Sequence, residues 1–159
     1  GYICPASAGV ASALGFLTAP ASFQLARTHI ARLVPENLAA LETTFEALEQ
    51  AGAATLAEAG VSPEDTRFVR QADMRHVGQG HEIVVTLGGK DLREADVAAL
   101  RQSFFAAYAA IYGHAHRHLD LEITTCRLTA SGPAPRITLK ELAASGNDPK
   151  EAIKGTRQA

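Results

Sequence analysis

The chain predicts an α+β fold: a ferredoxin-like βαββαβ two-layer sandwich, with four antiparallel strands, two helices on one face and an extra N-terminal helix. Three observations carry that expectation. Two segments, centred on Leu41 and Phe104, repeat apolar residues at the three-and-four spacing of a helix buried along one stripe. Four others alternate apolar with polar residues, or are rich in β-branched ones, as strands do. Glycine and proline punctuate them in the order strand, helix, strand, strand, helix, strand from residue 22 onward. Right-handed crossovers then put both helices on the same side of the sheet.

Residues 8–19 read as a short helix whose small residues, Ala8, Ala11, Ser12 and Gly15, suit close contact with a neighbour, and Pro20 stops it. Residues 22–32 alternate as a strand, with Phe23, Leu25, Arg27 and His29 on one side. Pro35 opens a helix as a first-turn proline. Leu38, Leu41, Phe45, Leu48 and Leu56 form its buried stripe, Glu42, Glu46 and Glu49 are expected outward, and Gly60 ends it. "VSPED" is a turn. "TRFVRQADMRHV" and "HEIVVTL" form a hairpin around Gly78, Gln79 and Gly80, with Phe68, Ala72 and Met74 inward on the first arm and His81, Ile83, Val85 and Leu87 on the second. A helix is expected from Leu92 to Tyr112, buried through Val97, Leu100, Phe104, Tyr108 and Ile111. "LDLEITTCRLTA" is the last strand, with Leu119, Leu121 and Ile123 inward. Residues 133–159 read as a linker with one weak helical turn near "LKELAAS".

With 159 residues, 47% apolar and 20% charged, the composition is that of an ordinary globular domain. A net charge of -2 gives no electrostatic case for nucleic acid or an anionic membrane as main partner. The apolar opening is broken by Pro5, Gly9, Gly15 and Pro20 and lacks a basic leader, so no signal peptide or membrane span is expected. Cys4 and Cys126 make no disulfide framework, and a reducing cytoplasm is the expected setting. The strand-like start and polar end suggest a piece of a longer chain.

The chemistry concentrates in "RQADMRHVGQGHEIVVTL", residues 70–87. Strand alternation sets Asp73 and Arg75 opposite Ala72 and Met74, and sets Glu82 and Glu122 opposite the apolar sets of their own strands. That places the charged cluster on the helix-free face. A carboxylate–guanidinium group there could serve acid–base catalysis; a cross-strand ion-pair ladder or a docking surface is the simpler reading. His114, His116 and His118 are weak metal candidates, since no acidic or cysteine ligand stands at a zinc-like spacing and a helix end favours histidine on its own. "VGQG" and "LGGK" are too short to cradle phosphates, and neither cysteine has a neighbouring histidine. No complete active site emerges, and no catalytic residue is assigned.

The same hairpin resembles the "ADMRYxGQ" segment of the hydantoinase A / 5-oxoprolinase family, through Ala72, Asp73, Met74, Arg75, Val77, Gly78, Gln79 and Glu82. "CPASAGVASALGFLTAP" is similar to the family's "PxxPGVxSALGLL" through Pro5, Gly9, Val10, Ser12, Ala13, Leu14 and Gly15. "FFAAYAAIYGHA" and "LEITTCRLTASG" resemble "FHxxHxxxYGH" and "VEIVNLRVxAxG" through Phe104, Tyr112, Gly113, His114, Glu122, Arg127 and Leu128. The likeness runs in order along nearly the whole chain. It departs at His76, where the family usually has an aromatic, and at Ala8, where it has proline.

The resemblance implies a C-terminal portion of an ATP-dependent cyclic-amide hydrolase subunit, of the N-methylhydantoinase or 5-oxoprolinase type, inactive by itself. Residues 1–20 would hold the last helix of an actin-like ATPase core, 21–132 the α+β domain and 133–159 the tail. ATP and a divalent metal are expected for the parent complex and no cofactor in this chain. The implied partners are the rest of the parent subunit and a hydantoinase B-type subunit or domain. Asp73, Arg75, Gln79, Glu82, Glu122 and Arg127 form the expected substrate-side or interface surface. The alternative is a free-standing ferredoxin-like module that binds a small ligand or self-associates.

Overall fold

The computed structural model describes residues 11–88, 91–94 and 97–135. Helix α1, Ala11–Thr18, belongs to a separate unit and leaves Phe16 and Leu17 exposed. The main unit, Ala19–Pro135, holds β1 (Ser22–Arg32), α2 (Pro35–Glu58), β2 (Arg67–His76), β3 (Ile83–Thr86), α3 (Val97–Tyr112) and β4 (Leu121–Ser131). Two 3-10 turns, Pro63–Asp65 and Leu92–Glu94, lead into β2 and towards α3. The expectations for residues 1–10, for Gly89 and Lys90 and for "LKELAAS" lie outside the described residues.

The order is the predicted βαββαβ, closed into one antiparallel sheet of spatial order β1-β4-β2-β3, with both helices on one face. Each crossover passes over one strand: β4 lies between β1 and β2, and β2 lies between β3 and β4. Local chemistry sets the ends. Extended Val34 precedes Pro35, whose missing N–H costs nothing in a first turn. After Ala59, Gly60 takes φ +82°, and the N–H groups of Gly60 and Val61 return to the carbonyls of Ala57 and Leu56, a Schellman end. Gly113 at φ +81° closes α3 in the same left-handed region. α2 presses hard on β4 at Gly52, where an added Cβ would lie 2.9 Å from the Ala130 methyl.

The core fills the space between sheet and helices. Leu41 and Phe45 of α2 and Phe104 of α3 meet Ala72, Met74, Ile123, Cys126 and Leu128 of the central strands, all essentially removed from water. Six expectations are corrected, five of them at its margins. α3 starts at Val97, after a 3-10 turn, and Ile111 near its end is exposed. Leu119 precedes β4 and is partly exposed, and His81 lies in the loop before β3, in solvent. Phe68, at the outer end of β2, is also only partly covered. Each sits where an element runs past the edge of the opposing layer, so periodicity continues while burial stops.

The sixth concerns Glu42, which is buried at 3% exposure and not outward. It lies one residue beyond Leu41 and three before Phe45, on the shoulder of the stripe. Arg70 reaches it from β2 with two parallel bonds of 2.8 and 2.9 Å and reaches Glu49 at 2.7 Å. The Leu92 N–H donates to Glu42 at 2.8 Å, and the guanidinium lies 5.2 Å from the centre of the Phe45 ring. Burial pulls the Arg70 pKa down, but the bonds to Glu49 and Glu42 outweigh it and hold it above the ordinary value. This charged bolt fixes α2 to β2. Glu46, in contrast, pairs with Arg93 in the open.

His76, the last residue of β2, faces the helices at 0% exposure. Its ring meets Phe104 and Tyr108 edge-on at 5.1 and 5.3 Å and Phe105 at 6.3 Å, and neither ring nitrogen has a hydrogen-bond partner. It occupies an aromatic's place as a neutral ring. Burial first, and then His116, Arg101 and His118, lower its pKa below 6.5.

Arg70→Ala should strip Glu42 of its counter-charge and cost about 3–5 kcal/mol of stability by urea unfolding. Because the unfolded imidazole of residue 76 protonates more readily than the folded one, stability should fall as pH drops below 6.5, by at most ~1.4 kcal/mol per pH unit. His76→Phe should flatten that slope.

Candidate functional site

The face of the sheet away from α2 and α3 carries the outward residues of each strand. In β2 these are Val69, Gln71, Asp73 and Arg75, since Arg70, Ala72, Met74 and His76 point to the helices. In β4 they include Glu122, Thr124, Thr125 and Arg127. A bulge makes this set possible: Asp73 lies opposite Thr125 and Met74 opposite Ile123, so Thr124 is an extra residue that resets the phase of β4. Ile123 and Cys126 therefore both face the core, while Glu122 and Arg127 both face away.

The predicted residues meet in pairs. Arg127 grips Asp73 through Nε at 2.8 and 3.0 Å and through Nη2 at 2.8 Å. Asp73 is 2% exposed, so its charge depends on that grip. The pairing raises the Arg127 pKa, which keeps the guanidinium charged. Arg75 stands directly across from Glu122 and donates from Nε at 2.7 Å. Thr124 donates to Glu82 at 2.7 Å. Exposed Ile30, Val69 and Val84 flank these pairs, at 67%, 45% and 50%. Apolar side chains set among satisfied charges make the mixed composition of a partner-facing surface.

Gln79 does not join them. It lies in the hairpin loop, where its N–H bonds the His76 carbonyl at 3.0 Å, and it lines a cavity of about 200 Å3 with Gly80, His81, Tyr108 and Tyr112. The predicted surface thus divides into a sheet-face network and a separate hairpin cavity.

The sheet network is chemically quiet. Each carboxylate on it is tied to a guanidinium or a hydroxyl. Cys126, behind Asp73 on the core side, has its thiol pushed up to about 12 by burial and then by the Asp73 charge, which makes it a poor nucleophile. His114, His116 and His118 have ring centres 5.1 and 6.1 Å apart in sequence order on an exposed turn, and among the described residues no three His, Cys, Asp or Glu side chains converge as ligands. Nor does a glycine loop meet a helix N-terminus there: the glycines with positive φ follow α2 and α3 or sit in the hairpin. Among the described residues there is neither a phosphate-cradling glycine loop at a helix start nor a converging set of metal ligands. No helix among them is long and apolar enough to cross a membrane.

Two participants escaped sequence reading. Thr124 is the bulge residue, visible beforehand only as one of two adjacent threonines. Tyr108 was assigned to the core, yet it also lines the cavity. Arg127→Ala should leave Asp73 buried without its partner and cost about 2 kcal/mol or more, whereas a joint Asp73→Asn, Arg127→Ala change should recover part of that loss in a double-mutant cycle by thermal unfolding.

Comparison with known proteins supplies the context. A curated relative, an uncharacterized protein of Methanocaldococcus jannaschii, is 27% identical over 130 residues, which is 82% of this chain and 18% of that protein. The nucleotide-free structure of acetone carboxylase superposes with a TM-score of 0.77 at 19% identity, over 94% of this chain and 22% of that one. The ATP-dependent caprolactamase of Pseudomonas jessenii gives 0.68 at 23% identity, over 86% of this chain and 21% of that one. The chain therefore spans about a fifth of the length of these relatives. The hydantoinase/oxoprolinase C-terminal domain family matches residues 32–159, and the chain belongs to that family.

Proposed function

We propose that this chain is the C-terminal domain of a larger ATP-dependent enzyme subunit acting on a cyclic amide of the hydantoin or 5-oxoproline type. In this reading the helix-free sheet face is where the domain docks on the rest of the parent or on a hydantoinase B-type partner. ATP and a divalent metal belong to those other parts, and the setting is cytoplasmic. The observation that carries the proposal is the sheet face itself: charged side chains locked in pairs, apolar neighbours in solvent, and no free acid, base or nucleophile among them.

The relatives support a docking role. One solved structure is named for acetone carboxylation and another for a caprolactamase, two different bond changes, and what their names share is ATP dependence. A domain common to both is better suited to holding the assembly together than to choosing the reaction.

Truncating one partner of a charge pair that becomes buried on docking leaves the other unpaired. Arg75→Ala in the parent should therefore weaken association of the domain with its partner by about 2–5 kcal/mol, measured by titration calorimetry or by activity recovered on mixing. Full assembly and activity with Arg75→Ala would count against the docking face.

A further inference from the structure

The two edges of the sheet are finished differently. β3 is an edge of 4 residues, Ile83–Thr86, too short to offer much to another strand. β1, on the other side, is an edge of 11 residues, Ser22–Arg32, bonded among the described residues to β4 alone. The Ala21 carbonyl accepts the Gly132 N–H, so Ala21 and, by alternation, Phe23, Leu25 and Arg27 turn their backbone groups to β4. The N–H and C=O groups of Ser22, Gln24, Ala26 and Thr28 therefore point out of the sheet. Native edges are usually blunted by proline, lysine or a bulge. Ser22–Thr28 holds neither residue, its one charge is Arg27, and the bulge of β1 comes only after Thr28.

We propose that this edge pairs with the β1 edge of a second copy of the chain, antiparallel across a two-fold axis at Leu25. Ser22 then bonds Thr28 of the second copy and Gln24 bonds its Ala26, in both directions, so every outward backbone group is satisfied. On the helix side Leu25 meets the second copy's Leu25, and Phe23 lies beside its Arg27, a guanidinium against a ring. Neighbouring registers fail. An axis at Arg27 opposes two guanidiniums. An axis at Gln24 sets Thr28 against Pro20, which has no N–H to give. An axis at Ala26 sets Ser22 against Ile30, inside the bulge. The axis at Leu25 uses the straight run whole, and this self-complementarity is what points to a second copy as the occupant.

The helix layer leaves room for that copy. α2 lies over β1 and β4, and the Thr44 hydroxyl meets the His29 ring at 2.7 Å, which fixes the flank of α2 that overhangs β1. Along that flank stand Ala40, Ala47 and Ala51, with no long side chain to fend off a second helix. At the ~4.8 Å spacing of paired strands the two α2 helices come to about 10 Å, an ordinary packing distance. The pairing joins two four-stranded sheets into one, with the helices of both copies on the same face. The edge is distinct from the helix-free face that carries Arg75, and its test does not depend on that face.

The 159-residue chain is sedimented over a concentration series, with circular dichroism as the check of folding. A two-chain mass that dissociates on dilution is expected. Ala26→Pro removes an outward N–H and no ladder bond, so it should leave a folded monomer. Phe23→Lys opposes an ammonium to the second copy's Arg27 and should weaken association about tenfold or more, and adding Arg27→Glu should restore it. Arg75→Ala should leave the dimer unchanged. Should Ala26→Pro unfold the chain, the charge reversal decides alone. A monomer at every concentration, a dimer indifferent to Ala26→Pro, failure of Arg27→Glu to rescue, or a dimer lost with Arg75→Ala overturns the proposal.

Discussion

The structure depends on the antiparallel contact between β2 and β4, two strands that run side by side although Asp73 and Arg127 are 54 residues apart. Every feature with chemical meaning hangs on that register. It brings Arg75 across from Glu122 and lets Arg127 reach diagonally to Asp73. The bulge at Thr124 matters because a strand without it would turn Arg127 towards the core and Cys126 towards solvent. A buried carboxylate on a face without helices is tolerable only because the bulge delivers a guanidinium to it. The same pairing lays Ala72, Met74 and His76 against the helices, and so sets the aromatic box beneath the hairpin cavity.

Two charged systems on opposite faces of β2 divide the work. Arg70 ties the strand inward to α2 through Glu42 and Glu49, where water is largely excluded and the bonds are short. Arg75 and Asp73 tie it sideways to β4, on the helix-free face. One alternating strand thus joins the core bolt to the outward network, and its last residue, His76, supports the cavity wall. A partner seated on the outer face would press on the strand that also carries Tyr108 through His76.

The elements were legible because their signals are local. Helix stripes, the first-turn Pro35, the closing glycines at 60 and 113 and the alternation around Asp73 each depend on a few neighbouring residues. The helix-free placement of Asp73, Arg75, Glu82 and Glu122 followed from alternation and crossover handedness alone, whereas Arg127, beyond the bulge, entered only through the family resemblance. What was not legible needed the third dimension. Glu42 reads as a surface glutamate until Arg70 is known to lie beneath it, 28 residues away. Gln79 reads as part of the charged hairpin until the loop is seen to swing it beside α3. Thr124 carries no sign of a bulge, since adjacent threonines are ordinary in a strand.

The central claim is that this domain docks and positions but does not turn over substrate by itself. The most direct measurement is steady-state release of inorganic phosphate and ring-opened product by the purified 159-residue chain, supplied with ATP, magnesium and hydantoin, 5-oxoproline or caprolactam, alone and after adding the remainder of the parent subunit. The account predicts background rates from the chain alone and turnover only on reassembly. Enzymic turnover from the isolated chain, abolished by a substitution on its sheet face, would contradict it.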